Sequence, residues 1–150
     1  MIQGHAKRIV AAHFDELQFR PQAQLPGFKG APLDAGVQAK YFGEGDRGPW
    51  FYIVKHAPGT RVPRHSHHGD VTHYMLEGEW IVDGQRLTAG QYQFEEAGTW
   101  FGPIEAGPSG AMLIAFWDRY PSFIPWTPGT DDWVPPEGYW DWAPGRSGSG

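Results

Sequence analysis

The sequence predicts an all-β fold, a small barrel or sandwich of short strands. Three observations predict it. Gly (21) and Pro (14) are abundant and separate short apolar runs, as tight turns between strands require. The runs are rich in aromatic and β-branched side chains and too short for a helical bundle. Asp83-Gly84, between an apolar run at 80–82 and Gln85–Thr88, is a strong hairpin signal.

The elements follow in chain order. Ile9, Val10, Phe14 and Leu17 have mixed spacing, so residues 6–17 are open to a short helix or an edge strand. Residues 20–35 carry Pro21, Pro26, Gly27, Gly30 and Pro32 and read as an irregular connection. Strands are expected at 37–42 and at Trp50–His56, the second ending in the turn Ala57-Pro58-Gly59-Thr60. Residues 71–76 and 80–82 flank Glu77-Gly78-Glu79 as separate strand pieces. After the hairpin come a short strand at 91–95 and a last apolar run at 111–117. Short pieces and tight turns suit a jelly roll, which closes without long exposed edges.

The rest of the chain is an N-terminal extension at 1–34 and a C-terminal arm at 118–150, around a core at 35–117. Residues 117–144 hold five tryptophans (Trp117, Trp126, Trp133, Trp140, Trp142) and six prolines. Proline disrupts regular pairing, so this arm is irregular, while its rings should bury against something. The outer barrel wall, a partner subunit, the barrel mouth and a bound ligand are the options. Residues 146–150 read as a flexible terminus.

Composition excludes several functions. At 150 residues the expectation is one domain. With no cysteine there is no disulfide, Cys-zinc site, iron–sulfur cluster or thiol nucleophile. A net charge of −5 with scattered Lys and Arg argues against nucleic acid. No apolar stretch approaches a membrane span, and no secretory signal is evident, so a cytoplasmic protein is expected. Helical His-Glu-x-x-His, phosphate-binding glycine loops and Ser-His-Asp constellations are absent from the sequence.

Four of the seven histidines fall within nine residues, at His65, His67, His68 and His73. On a strand, residues i and i+2 leave the same face, so His65 and His67 are placed to share one metal ion. Neutral imidazole is the commonest protein ligand for such ions. His73 shares its face with Val71 and Met75 and is the first candidate for a third ligand. Glu95 and Glu96 are the reserve. His68 has the wrong parity and is expected to be exposed or on a turn.

This pattern resembles the cupin family. Its first motif runs Gly, five residues, His-x-His, three or four residues, Glu, six residues, Gly. Gly59, His65-Ser66-His67 and Gly78 keep that spacing, with Val71 at the Glu position. Its second motif runs Gly, five residues, Pro-x-Gly, two residues, His. Gly90 and Gly98 keep that spacing, with Glu96 for the proline and Phe101 for the histidine. The resemblance covers roughly residues 35–117 and implies a single cupin jelly-roll β-barrel, here with an irregular Trp/Pro-rich C-terminal arm.

The detail His-x-His-x-Gly-x-Val looks most like the branch holding ChrR-like domains, the acetylacetone-cleaving dioxygenase and the dihydroxyacetophenone dioxygenase. That branch uses three histidines and no Glu, which Val71 matches and Phe101 does not. The resemblance implies one divalent transition metal, Fe(II) first and Zn, Mn or Ni otherwise, and a homodimer. It implies oxygenase chemistry on an aromatic ketone or diketone-like small molecule. Tyr74, Tyr92, Phe94, Trp100 and Phe101 are the expected substrate pocket. Two alternatives stand beside it: a non-redox isomerase or lyase, and a ligand-binding or sensor module without catalysis.

Overall fold

The computed structural model describes residues 9–129. Ten strands lie along them: β1 (Arg20–Pro21), β2 (Val37–Tyr41), β3 (Trp50–His56), β4 (Arg61–Val62), β5 (His65–Ser66), β6 (Val71–Val82), β7 (Gln85–Thr88), β8 (Tyr92–Glu95), β9 (Ile104–Trp117) and β10 (Ile124–Pro125). The main sheet runs β1-β2-β3-β9-β6-β7, with β4 also on β9 and β8 also on β6. β5 and β10 form a second, two-stranded sheet. All pairings are antiparallel. The all-β expectation holds. Among the described residues no helix is long and apolar enough to cross a membrane.

The hairpin falls where Asp83-Gly84 places it. Both residues have positive φ, 49° and 77°, as a two-residue turn joining twisted strands requires. Residues 6–17 give only a three-residue 3-10 turn at Phe14–Glu16 within the described part.

β6 differs from the expectation, being one strand of 12 residues through Glu77-Gly78-Glu79. Its register on β9 shifts between Met75 and Glu77 and again between Gly78 and Trp80. The reason is local: Gly78 has φ +72°, and a Cβ there would collide with the Gly110 carbonyl. Val71, His73 and Met75 point inward before the irregularity, and Trp80 and Val82 after it. The change from odd to even numbers turns Trp80 toward the same interior as His73.

β9 likewise begins at Ile104 rather than at 111, with Pro108 and Gly110 inside the irregular stretch opposite Gly78. Its inner face carries Ala111, Leu113, Ala115 and Trp117, all 5% exposed or less. These residues, with Tyr52, Val54, Val37 and Met75, form the core. Residues 20–33 close over one end, where Phe28 packs edge-on to Tyr52 and Trp117 at 5.8 and 5.5 Å.

Candidate functional site

One interior cavity of about 40 Å³ collects the histidines. His56, His65, His67 and His73 line it, with Trp80, Phe101, Trp117 and Phe123 among the aromatic walls. Its volume holds a few waters at most.

His65 is pinned on both edges of β5. It exchanges two backbone hydrogen bonds of 3.0 Å with Phe101, and Pro125 of β10 pairs with it on the other side. Its Nδ1 lies 2.6 Å from the Pro63 carbonyl. A carbonyl only accepts, so Nδ1 carries the proton and Nε2 keeps its lone pair. His67 repeats the arrangement across the chain, with Nδ1 2.6 Å from the Ser122 carbonyl. The two rings are 4.7 Å apart, although β5 ends at Ser66 and His67 lies just beyond it. Burial pushes His65 down to about 4, and holds His67 well below the ordinary imidazole range. Both are therefore neutral at pH 7, the form that binds metal.

His73 faces inward opposite Ala115, whose small side chain leaves room for the imidazole. Its Nδ1 stands 3.0 Å from Glu95 Oε1, an ion-pair distance without hydrogen-bond alignment. Glu95 Oε2 is 3.9 Å from His67 Nε2. Glu95 is 5% exposed, and neither of its oxygens has a hydrogen-bond partner. An uncompensated carboxylate is costly in such a place.

Several expected residues sit elsewhere. Strand parity puts Tyr74, Tyr92 and Phe94 on the outer face, 42%, 70% and 57% exposed, so they do not form the pocket. Tyr92 pairs with Tyr74, and Phe94 with Thr72, while their neighbours Glu95 and His73 turn in. Trp100 is half-buried and lines no part of the cavity, and Glu96 is exposed. Of the five, Phe101 alone lines the cavity, its ring 4.4 Å from His65 and 5.4 Å from His67. His68 sits in a bend, but is buried there rather than exposed, because Ser122 lies against it and its Oγ accepts the His68 backbone N–H at 2.8 Å. Burial and the Arg119 charge lower its imidazole to about 4.

Besides Trp80 and Trp117, the cavity residues outside the expected set include Phe123 and His56. Phe123 of the arm stacks on His65 at 4.3 Å. His56 ends β3, shares its inner face with Tyr52 and Val54, and is pushed by burial down to about 4. The inward parity of 52, 54 and 56 was the available signal for it. In the arm, Trp117 belongs to the core and Trp126 is half-buried. Trp133, Trp140 and Trp142 lie outside the described residues.

As they stand, no three His, Asp or Glu among the described residues converge tightly enough to enclose an ion. In kind, the donors fit one: two imidazoles locked with Nε2 free, a third imidazole, and a buried carboxylate that no donor neutralises. Three nitrogens and one oxygen suit a first-row divalent ion.

A family model described as the ChrR Cupin-like domain matches residues 10–119. The chain belongs to this family. No curated protein matches the chain. Among solved structures, this cupin is similar to an acetylacetone dioxygenase from Acinetobacter johnsonii, at 18% identity and TM-score 0.56, over 80% of this chain and 81% of that one. A protein of Methylibium petroleiphilum assigned the same activity aligns at 18% identity and TM-score 0.60, over 89% and 99%. A sugar phosphate isomerase from Silicibacter pomeroyi aligns at 20% identity and TM-score 0.57, over 73% and 76%. At these identities the likeness is one of fold.

Proposed function

We propose that this cupin is a metal-dependent enzyme acting on a small molecule, with the ion held by His65, His67, His73 and Glu95. The observation that carries the reading is the pair of 2.6 Å bonds from Nδ1 of His65 and His67 to backbone carbonyls. Such bonds fix tautomer and ring direction, as they do for metal-ligating histidines generally. Glu95 adds the negative charge that would offset a divalent cation.

When bound, the ion would supply Lewis acidity or, as Fe(II), oxygen chemistry. The chain's own residues do the rest. Phe101, Phe123, Trp117 and Trp80 keep bulk water from the site, so charges there act in a low dielectric. Dioxygenase activity is the finer reading, supported by the fold shared with the acetylacetone dioxygenase. The cavity volume favours compounds of few heavy atoms over an aromatic ketone.

One observation favours a second reading, a ligand-binding module without catalysis. Phe101 occupies the second-motif histidine position and presses on His65. Elemental analysis of chelator-free protein for Fe, Zn, Mn, Ni and Cu separates the two. The enzyme reading expects near-stoichiometric metal, lost in His65→Ala/His67→Ala. Folded wild type that neither carries nor takes up metal sinks it. If metal is present, O2 consumption on turnover separates the oxygenase from an isomerase or lyase.

A further inference from the structure

Where an antiparallel sheet faces water, its outward positions are ordinarily polar. On this barrel they are not. Cross-strand register lines up Phe51, Phe116, Thr72 and Phe94 in one outer row over β3, β9, β6 and β8. Ile53, Ile114, Tyr74 and Tyr92 form the next row. Neither row contains a charged side chain. Tyr92, Phe94, Phe116 and Tyr74 are 70, 57, 48 and 42% exposed. Strands that are apolar on both faces are the pattern of a sheet covered on both sides.

The β2–β3 end of this outer face has its cover already. Lys40 Nζ lies 3.4 Å from the Phe14 ring centre and 4.6 Å from that of Phe19, and donates to the Phe14 carbonyl at 2.7 Å. Lys40 pairs with Ile53, which is only 8% exposed although it points outward. Among the described residues that cover stops there, and the same two rows run on bare across β9, β6 and β8. At about 200 Å² per ring, the four exposed aromatics together with Leu76 leave roughly 500 Å² of side-chain surface uncovered. That is near the upper end of what a monomer leaves bare. With a polar rim it approaches the about 800 Å² that each partner brings to a stable complex.

We propose that this face is where a second copy of the chain docks, the two sheets packed face to face about a two-fold axis. The face is complementary to itself. Two uncharged rows meet their own copies with no like charges brought together. Tyr74 and Tyr92, opposite each other on β6 and β8, offer apolar rings with a polar tip, which suits a contact that is dry at its centre and wet at its edge. His73 and Glu95 leave the same two strands on the opposite side. Docking therefore does not touch the cavity, and the assignment does not depend on the metal reading.

The test is analytical ultracentrifugation of the full chain over a wide concentration range, with hydroxyl-radical footprinting of the same samples. A reversible dimer is expected at micromolar concentration. Tyr74, Tyr92, Phe94 and Phe116 should be oxidised more slowly in it than in the dilute monomer. Tyr92→Lys/Phe94→Lys should weaken association about 100-fold or more, as the loss of two central aromatic anchors does, with the circular dichroism spectrum unchanged. Phe116→Lys, on the neighbouring strand, makes the same test if the double variant does not fold. A monomer at every concentration overturns the proposal. Protected rings in that monomer would assign the cover to the chain's own residues outside 9–129, and reactive rings would leave the face to a different protein. A dimer whose four rings stay as reactive as in the monomer overturns it too, as does a folded variant that associates as tightly as wild type, since the contact then lies elsewhere.

Discussion

Two pairs of histidines share the cavity and differ in what holds Nδ1. His65 and His67 are each tied at 2.6 Å to a backbone carbonyl, one from the adjacent loop and one from a segment 55 residues away. His56 and His73 have no aligned partner at that nitrogen. A ring tied at Nδ1 is aimed before anything binds. A ring left open there keeps its tautomer to be chosen by a ligand or by Glu95. Preorganisation thus belongs to the first pair and adaptability to the second.

The sharpest way to break this comparison is His65→Ala/His67→Ala, which should abolish metal retention, while His56→Phe should leave it intact; elemental analysis decides. Acid comes next. For His56 and His65 the folded value is about 4, against about 6.5 unfolded. As pH falls from about 6.5 toward 4, the unfolded chain takes up protons that the fold refuses, so stability drops. Above 6.5 the effect is absent. The full difference is about 3 kcal/mol per histidine, lost across that window. Urea unfolding of metal-free protein at pH 7 and pH 5 measures it, and a flat profile would contradict the burial of these rings.

Glu95→Gln follows, with two effects of opposite sign. Metal affinity should fall roughly 10–100-fold, while the metal-free protein should become more stable, since a buried unneutralised carboxylate is removed. Competition with a chelator and thermal melting read the two. Phe101→His should tighten metal binding by about tenfold if Phe101 holds the vacated ligand position; an unchanged affinity would put that histidine out of reach of the ion. The smallest effect is expected for Ser122→Ala. It removes the acceptor for the His68 N–H, about 1 kcal/mol, and keeps the Ser122 carbonyl that holds His67.

Much of this was readable from residues. The turn chemistry of Asp83-Gly84 set the hairpin; His65 and His67 are close, but His67 lies beyond β5 and is held by the Ser122 carbonyl rather than by strand parity. Parity also gives His73 its inward direction, because the register irregularity in β6 comes only after Met75. The same rule excludes Phe94 and Glu95 from sharing a face, so assigning both to one interior was inconsistent; burial decided for the carboxylate. His56 was missed because it lies outside the histidine-rich strip. The β5–β10 pair was invisible for another reason. A two-residue strand has no period to detect and is specified by what it packs against. The start of β9 lay outside the apolar run at 111–117, because its first half holds Pro108 and Gly110, residues that strands accept only at irregularities.

The bond from His67 to the Ser122 carbonyl has a consequence for the order of assembly. A chain ending at Trp117 would contain every strand of the main sheet and both residues of β5. It would lack the acceptor that aims His67 and the β10 edge that pins His65. The main sheet is itself closed by pairs as distant, such as Trp50 with Trp117, so separation alone does not order the two, but synthesis does. Every strand of the main sheet is therefore synthesised before the site can be complete, and the His67 ring is aimed only once the chain has passed Ser122 and folded back.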